Sequence, residues 1–229
     1  MKNQNDFKSY VNYFKKWDGA GPMGIGMLAV GFLLAWIGWQ FIPYSYLLSI
    51  ILIPLGIVLF LYGNIGRASD IDIRSIIEKS AEKLNFKELE EVPALRKRTP
   101  KNPEEQQFEG YSLKKGVLLK KMKDGSLASS EYDIVKMVTL TDGFYVKTLH
   151  FSFISEEQEI VAYDVSFSSL ESITAERKSF ELMKGQMPMP AKTCHLVLTY
   201  GGGKKVRIPV KDDIYLEDLI EKLKKTAGI

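Results

Sequence analysis

From Gly19 to Gly66 the chain carries no charged side chain and no histidine, and this run limits what the rest can fold into. As one helix it would be roughly 70 Å long at 1.5 Å per residue, far more than a bilayer core of about 30 Å requires. Two spans and a sharp reversal fit instead. Met23 to Ile42 forms the first and Tyr46 to Tyr62 the second, with Pro43-Tyr44-Ser45 between them. Proline disfavours continuing the first helix, and Tyr44 and Tyr46 suit a membrane–water interface, where a ring is buried and its hydroxyl stays wet. Pro54 and Gly56 predict a kink in the second span. Gly31 and Ala35, beside Trp36 and Trp39, form a small-xxx-small pair. Its spacing allows close contact within the hairpin or with another copy in a homo-oligomer.

The flanks give an orientation. Lys2, Lys8, Lys15 and Lys16 precede the run, Arg67, Arg74 and Lys79 come after it, and the reversal has no basic residue. The positive-inside rule then puts both termini in the cytoplasm of a multi-pass inner-membrane protein. A cleaved signal peptide fits poorly, because no small-residue cleavage site follows a short apolar core. Before the hairpin, residues 1–20 place Phe7, Tyr10, Val11, Phe14 and Trp17 on one helical stripe with lysines elsewhere. That pattern predicts an interfacial helix on the inner leaflet, or a helix packed on the protein's own globular part.

After the hairpin (21–66), residues 67–106 read as a helical and proline-rich linker. Ser69 or Asp70 caps a helix whose Ile73, Ile76, Ile77 and Leu84 share a face, and which could continue as far as Val92. Pro93, Pro100 and Pro103 break regular structure beyond that point. Arg96, Lys97, Arg98 and Lys101 suit anionic lipid headgroups or a solvated linker.

From about Phe108 the periodicity switches to two. Leu149, Phe151 and Phe153 alternate with polar residues, as do Val161, Tyr163, Val165 and Phe167. Cys194, Leu196, Leu198 and Tyr200, then Val206, Ile208 and Val210, continue the pattern. One buried and one wet face is what an antiparallel sheet or small barrel requires. Asp124-Gly125, Asp142-Gly143 and Gly201-Gly202-Gly203 mark hairpins between about seven strands, near 115–123, 134–141, 144–154, 159–167, 170–179, 193–200 and 204–210. A closing helix, capped by Asp212 or Asp213, carries Leu216, Leu219, Ile220 and Leu223 on one stripe and should plug the sheet pair.

The stretches "VTLTDGFYVKT", "EIVAYDVSFSSLESITAERKSF" and "HLVLTYGGGKKVRIPV", with Val165, Leu170 and Ile173 as an apolar step, resemble a bacterial PH-like (pleckstrin homology-like) domain over residues 107–229. The resemblance implies an α+β chain: a transmembrane hairpin, then a PH-like antiparallel β-sandwich or barrel capped by a C-terminal helix. It also implies a module for binding partners or membrane surfaces, with no common chemistry. Phosphoinositide-binding members carry a basic pattern across the first hairpin. Lys120, Lys121 and Lys123 stand there, but the next strand supplies only Lys136 and no arginine, a departure from that pattern.

Little points to chemistry. The one cysteine, Cys194, excludes an internal disulfide framework, and a net charge of +3 does not suggest nucleic acid. Adjacent strand residues point to opposite faces, so Cys194 and His195 cannot form a dyad. A His150–Cys194 pair lacks any accompanying oxyanion motif. "GGGKK" precedes a strand, unlike a phosphate loop, which precedes a helix. No cofactor or metal is expected. The segment 182–192, with Met183, Met187 and Met189 beside Pro188 and Pro190, suggests an adaptable apolar loop for a protein partner, or a loop folded over the domain's own core. The expectation is a membrane-anchored binding or scaffold protein; the alternative is an accessory subunit of a membrane transport or envelope-stress complex.

Overall fold

The computed structural model describes residues 4–16, 19–40, 45–122, 124–184 and 187–229, with the side chains of 4–6, 38–40 and 45–46 left out. The chain divides after Ser69 into two compact units.

The first unit is helical: α1 (Gln4–Lys15), α2 (Ala20–Gln40) and α3 (Ser45–Asn64). At 1.5 Å per residue, α2 and α3 are each about 30 Å long. Both are long and apolar enough to cross a membrane. Glycines let their backbones touch. A Cβ on Gly24 would meet the Phe60 nitrogen at 2.5 Å and the Gly56 oxygen at 2.7 Å, and one on Gly63 would strike the backbone of Gly21. Gly56 and Gly63 are seven apart, two turns along one face of α3, so the contact line runs straight along the helix. Pro54 lies inside α3 without ending it.

The first unit also ties α1 to the end of α3. Asn12 Nδ2 donates to the Gly66 carbonyl at 2.7 Å and Lys16 Nζ to the Ile65 carbonyl at 2.8 Å. A helix C-terminus exposes unpaired carbonyls and partial negative charge, so a lysine is suited to that position. Lys16 also lies over the Tyr62 ring, and Arg67 over Tyr13.

The second unit begins with α4 (Asp70–Ala81), α5 (Lys87–Glu91) and α6 (Pro93–Arg98). Ile73, Ile76 and Leu84 are buried as the periodicity requires. The helix does not run on to Val92: the chain turns at Lys83–Asn85, where the buried Lys147 ammonium donates to the Asn85 carbonyl. Pro93 opens α6 instead of breaking structure, because a first-turn residue has no helical use for an N–H.

The described residues next form nine strands. β1 (Glu105–Tyr111), β4 (Glu131–Thr139), β5 (Gly143–Ser152) and β6 (Gln158–Ser166) make one antiparallel sheet in the order β1-β4-β5-β6. β2 (Leu119–Lys121) and β3 (Leu127–Ser129) form a short hairpin around Asp124-Gly125, with Gly125 at φ +86°. β7 (Leu170–Lys184), β8 (Met187–Tyr200) and β9 (Lys204–Pro209) form a third sheet, and α7 (Tyr215–Ala227) ends at Gly228 in the left-handed conformation. Among the described residues no sheet closes on itself. Val135, Met137, Phe144, Val146, Val165, Ile173, Leu196, Leu198, Val206 and Ile208 fill one core, and Leu216, Ile220 and Leu223 of α7 pack into it. The chain is therefore α+β, with antiparallel sheets and a C-terminal helix after two apolar helices.

Two differences from the sequence expectation have simple causes. β1 straddles the boundary placed at 106/107 and precedes the first expected strand, because "EQQFEGY" has one fully apolar side chain and its strand character comes from pairing with β4. Gly143 sits in β5, where a Cβ would strike the Val165 carbonyl of β6; close approach, not a turn conformation, requires glycine there.

Candidate functional site

The segment 182–192 is strand on both sides of residues 185 and 186, which lie outside the described set. β7 and β8 pair without a register break from Ser172↔Thr199 to Lys184↔Met187. Two prolines inside a paired strand are unusual, and the parity of the ladder explains their tolerance. The Cys194 carbonyl accepts from Val210 beyond the end of β9, so even-numbered backbone groups of β8 point away from β7. Pro188 and Pro190 share that parity and withhold N–H groups from the free edge only. The far half of this ribbon lies on β2–β3, where Leu182 and Ala191 are buried with Leu119, and Phe180 and Leu127 pack around them. Burying a leucine in this way contributes about 1.5–3 kcal/mol.

Beyond that anchor the apolar side chains face outward. Met183 is 58% and Met187 74% exposed, whereas Met189 is half-buried. Lys178, Lys184 and Lys192 are exposed along the same ribbon. The result is an apolar tip with basic flanks on a supported two-stranded arm. The residues supporting it, Phe180, Leu182 and Ala191, were absent from the sequence-derived set, although the alternation of Phe180 and Leu182 marks the continued strand.

The basic candidates separate. Lys120 is buried, with its ammonium 3.3 Å from Asp70, and so is not a headgroup contact. Lys121 is exposed at the end of β2, and Lys123 lies outside the described residues. Arg96 and Lys97 are exposed on α6. Arg98 is structural: its Nε reaches Asp142 at 2.6 Å, and its two terminal nitrogens grip Asp164 at 2.6 and 3.0 Å. Asp164 and then Asp142, by hydrogen bonding, hold the guanidinium charge above its ordinary range.

The stripe on α1 is likewise divided. Phe14 is 1% exposed and sits edge-on to the equally buried Tyr13 at 5.0 Å, so it belongs to the protein interior and not to an interface. Phe7 and Tyr10 are half-buried. Trp17 and Tyr44 lie outside the described residues, and of Tyr46 only the backbone is described. Gly31 contacts α3, where a Cβ would meet the Ile53 side chain at 2.8 Å, and Ala35 is half-buried.

Of the groups with chemical potential, His150 is held by carboxylates, whereas Cys194 and His195 are set by burial. His150 on β5 has Nδ1 2.6 Å from Asp133 and Nε2 3.1 Å from Glu131, which in turn meets Lys114 at 2.6 Å. Cys194 packs against the main core, and burial pushes its thiol up, away from the reactive thiolate. His195, on the other side of β8, is held below its ordinary value, chiefly by burial. In the Gly201–Gly203 turn, all three residues have positive φ, and Glu171 Oε1 accepts from the amides of Gly202 at 2.6 Å and Gly203 at 3.3 Å. A carboxylate of the protein thus occupies the amide cradle that a phosphate would need. Among the described residues no group of three or more His, Cys, Asp or Glu is arranged to hold a metal ion.

No protein-family model matches this chain, and neither the curated proteins nor the solved structures contain a match to it.

Proposed function

We propose that the chain is a membrane-anchored binding protein. In this reading α2 and α3 cross the bilayer as a hairpin with both basic flanks in the cytoplasm, and the strand-rich unit acts as a PH-like module. The module presents the β7–β8 tip to a protein partner or to the inner leaflet. One observation carries the anchoring: only 22% of Ala20–Ile37 and 17% of Leu47–Asn64 is buried. Phe32, Leu33, Trp36, Ile50, Ile51 and Val58 are each at least half exposed. A core helix of a water-soluble protein has the opposite ratio, and so much apolar surface in water would drive aggregation. The PH-like assignment is supported by two antiparallel sheets sharing a core with a C-terminal helix. The tip is supported by Met183 and Met187 standing exposed beyond the buried Leu182 and Ala191.

Membrane fractionation and protease accessibility test both parts. The full chain should resist alkaline extraction from membranes, and the 70–229 region should be cleaved only when protease reaches the cytoplasmic side. Release by alkali, or cleavage from the outer face, would end the proposal. Replacing Met183 and Met187 together by serine should lower recovery of cross-linked partner or lipid at least about tenfold without changing membrane retention.

A further inference from the structure

The two edges of the β7–β8 ribbon are unlike. Along β8 the outer edge is closed to strand addition by Pro188 and Pro190, and further on by β9. Along β7 the outer edge has no ladder partner among the described residues. Cys194 faces away from β7 and is registered with Arg177, so odd-numbered residues of β7 turn their N–H and C=O groups outward. From Ala175 to Met183 these groups have no strand partner among the described residues, and with α7 packed beside the same strand they remain a template for another strand.

Its side chains select a partner. Exposed edges are commonly guarded by charges of one sign, which repel a second copy. Here the signs alternate about Ser179, with Arg177 two residues before it and Glu181 two residues after. Glu181 has no ion-pair partner among the described residues, whereas Arg177 already binds Asp212 and Glu217 at 2.8 Å each and is held in place. Two β7 strands paired antiparallel about a two-fold axis at Ser179 place Arg177 of each copy opposite Glu181 of the other, twice. Axes at Arg177, Lys178 or Glu181 would instead set like charges face to face. Outward groups in such a pair exchange two hydrogen bonds per facing position, or about ten over the five facing positions from Ala175 to Met183.

We propose that the β7 edge is a self-association surface, joining two copies of this chain in a continuous antiparallel sheet with Ser179 on the two-fold axis. The interface is isologous, as a two-fold axis requires, and it does not depend on the membrane assignment. Opposed α-carbons at such a hydrogen-bonded position are about 5.5 Å apart, within disulfide range.

The test uses the full chain in detergent with Cys194→Ala, carrying either Ser179→Cys or Thr174→Cys. Oxidation should convert most of the Ser179→Cys protein to a covalent dimer. Thr174→Cys should remain monomeric, because its counterparts would lie about 30 Å apart at 3.3 Å per residue. Adding Glu181→Lys to Ser179→Cys should reduce the dimer yield at least tenfold, while circular dichroism and the melting temperature stay unchanged. Equal cross-linking at both cysteines, no dimer at Ser179→Cys, or capture of a different protein in place of a second copy would each overturn the proposal.

Discussion

The ammonium of Lys147 lies 2.8 Å from Glu88 Oε1 and 2.8 Å from the Asn85 carbonyl, and so fastens α5 and the turn before it to the outer face of β5. Lys147 is 8% exposed while Glu88 is 41% exposed, so the lysine bears the larger share of the burial cost. Its hydrogen bond, more than the charge itself, depresses the Glu88 carboxyl below 4.5. The unfolded chain therefore binds a proton in mild acid that the folded chain refuses. This contribution is complete above 4.5 and is lost as pH falls through the lower folded value. Lys147→Met should cost about 1–3 kcal/mol at neutral pH, and should flatten the acid limb of the stability curve, as followed by thermal melts from pH 7 to 3.

His195 gives a second acid-sensitive step, higher on the pH scale. Burial depresses its imidazole below 6.5, against the opposing pull of Asp133 and Glu176. The contribution to stability is present above 6.5 and disappears as pH falls through the folded value. His195→Gln, which keeps a polar side chain but cannot be protonated, should remove the decline that begins near 6.5. It should leave the decline below 4.5 in place.

The hairpin glycines can be tested against an internal control. A side chain on Gly24 collides with the α3 backbone, whereas one on Gly26 meets nothing within 4 Å. Gly24→Leu should destabilise the helix pair by roughly 2 kcal/mol or more. Gly26→Leu should be neutral in the same detergent unfolding assay. Equal effects would mean that α2 and α3 meet on different faces.

Adjacent basic residues on α6 should differ as sharply. Arg98→Ala leaves Asp142 and Asp164 facing each other without their shared cation and should cost about 1–3 kcal/mol. Arg98→Lys should recover only part of this, since an ammonium cannot grip a carboxylate with two parallel bonds. Lys97→Ala should change nothing measurable in denaturant titrations, its side chain being exposed.

Local chemistry was the legible part of the sequence. The apolar helices, the stripe of Leu216, Ile220 and Leu223, and the glycine turn at 201–203 all follow from periodicity or backbone freedom. Tertiary partners were not legible. Lys120 and Arg98 looked like surface cations because nothing nearby in sequence announces Asp70 or Asp164. Phe14 looked interfacial because an aromatic stripe is the same whether lipid or protein covers it. β1 was hidden because β4 supplies the pairing that "EQQFEGY" lacks on its own. The 182–192 segment is a braced arm where a loop was expected, because what a proline does to a strand depends on the direction in which its nitrogen points, which residue type alone does not give.

Because Pro188 and Pro190 occupy alternate positions, they act as a phase marker for the whole ribbon. Slipping β8 by one residue, or inserting one residue between Pro190 and Cys194, would swing both rings into the seam with β7. Each would delete a bond there and turn Ala191 outward from its pocket. The ribbon can therefore tolerate changes in side chain far more readily than a change in length.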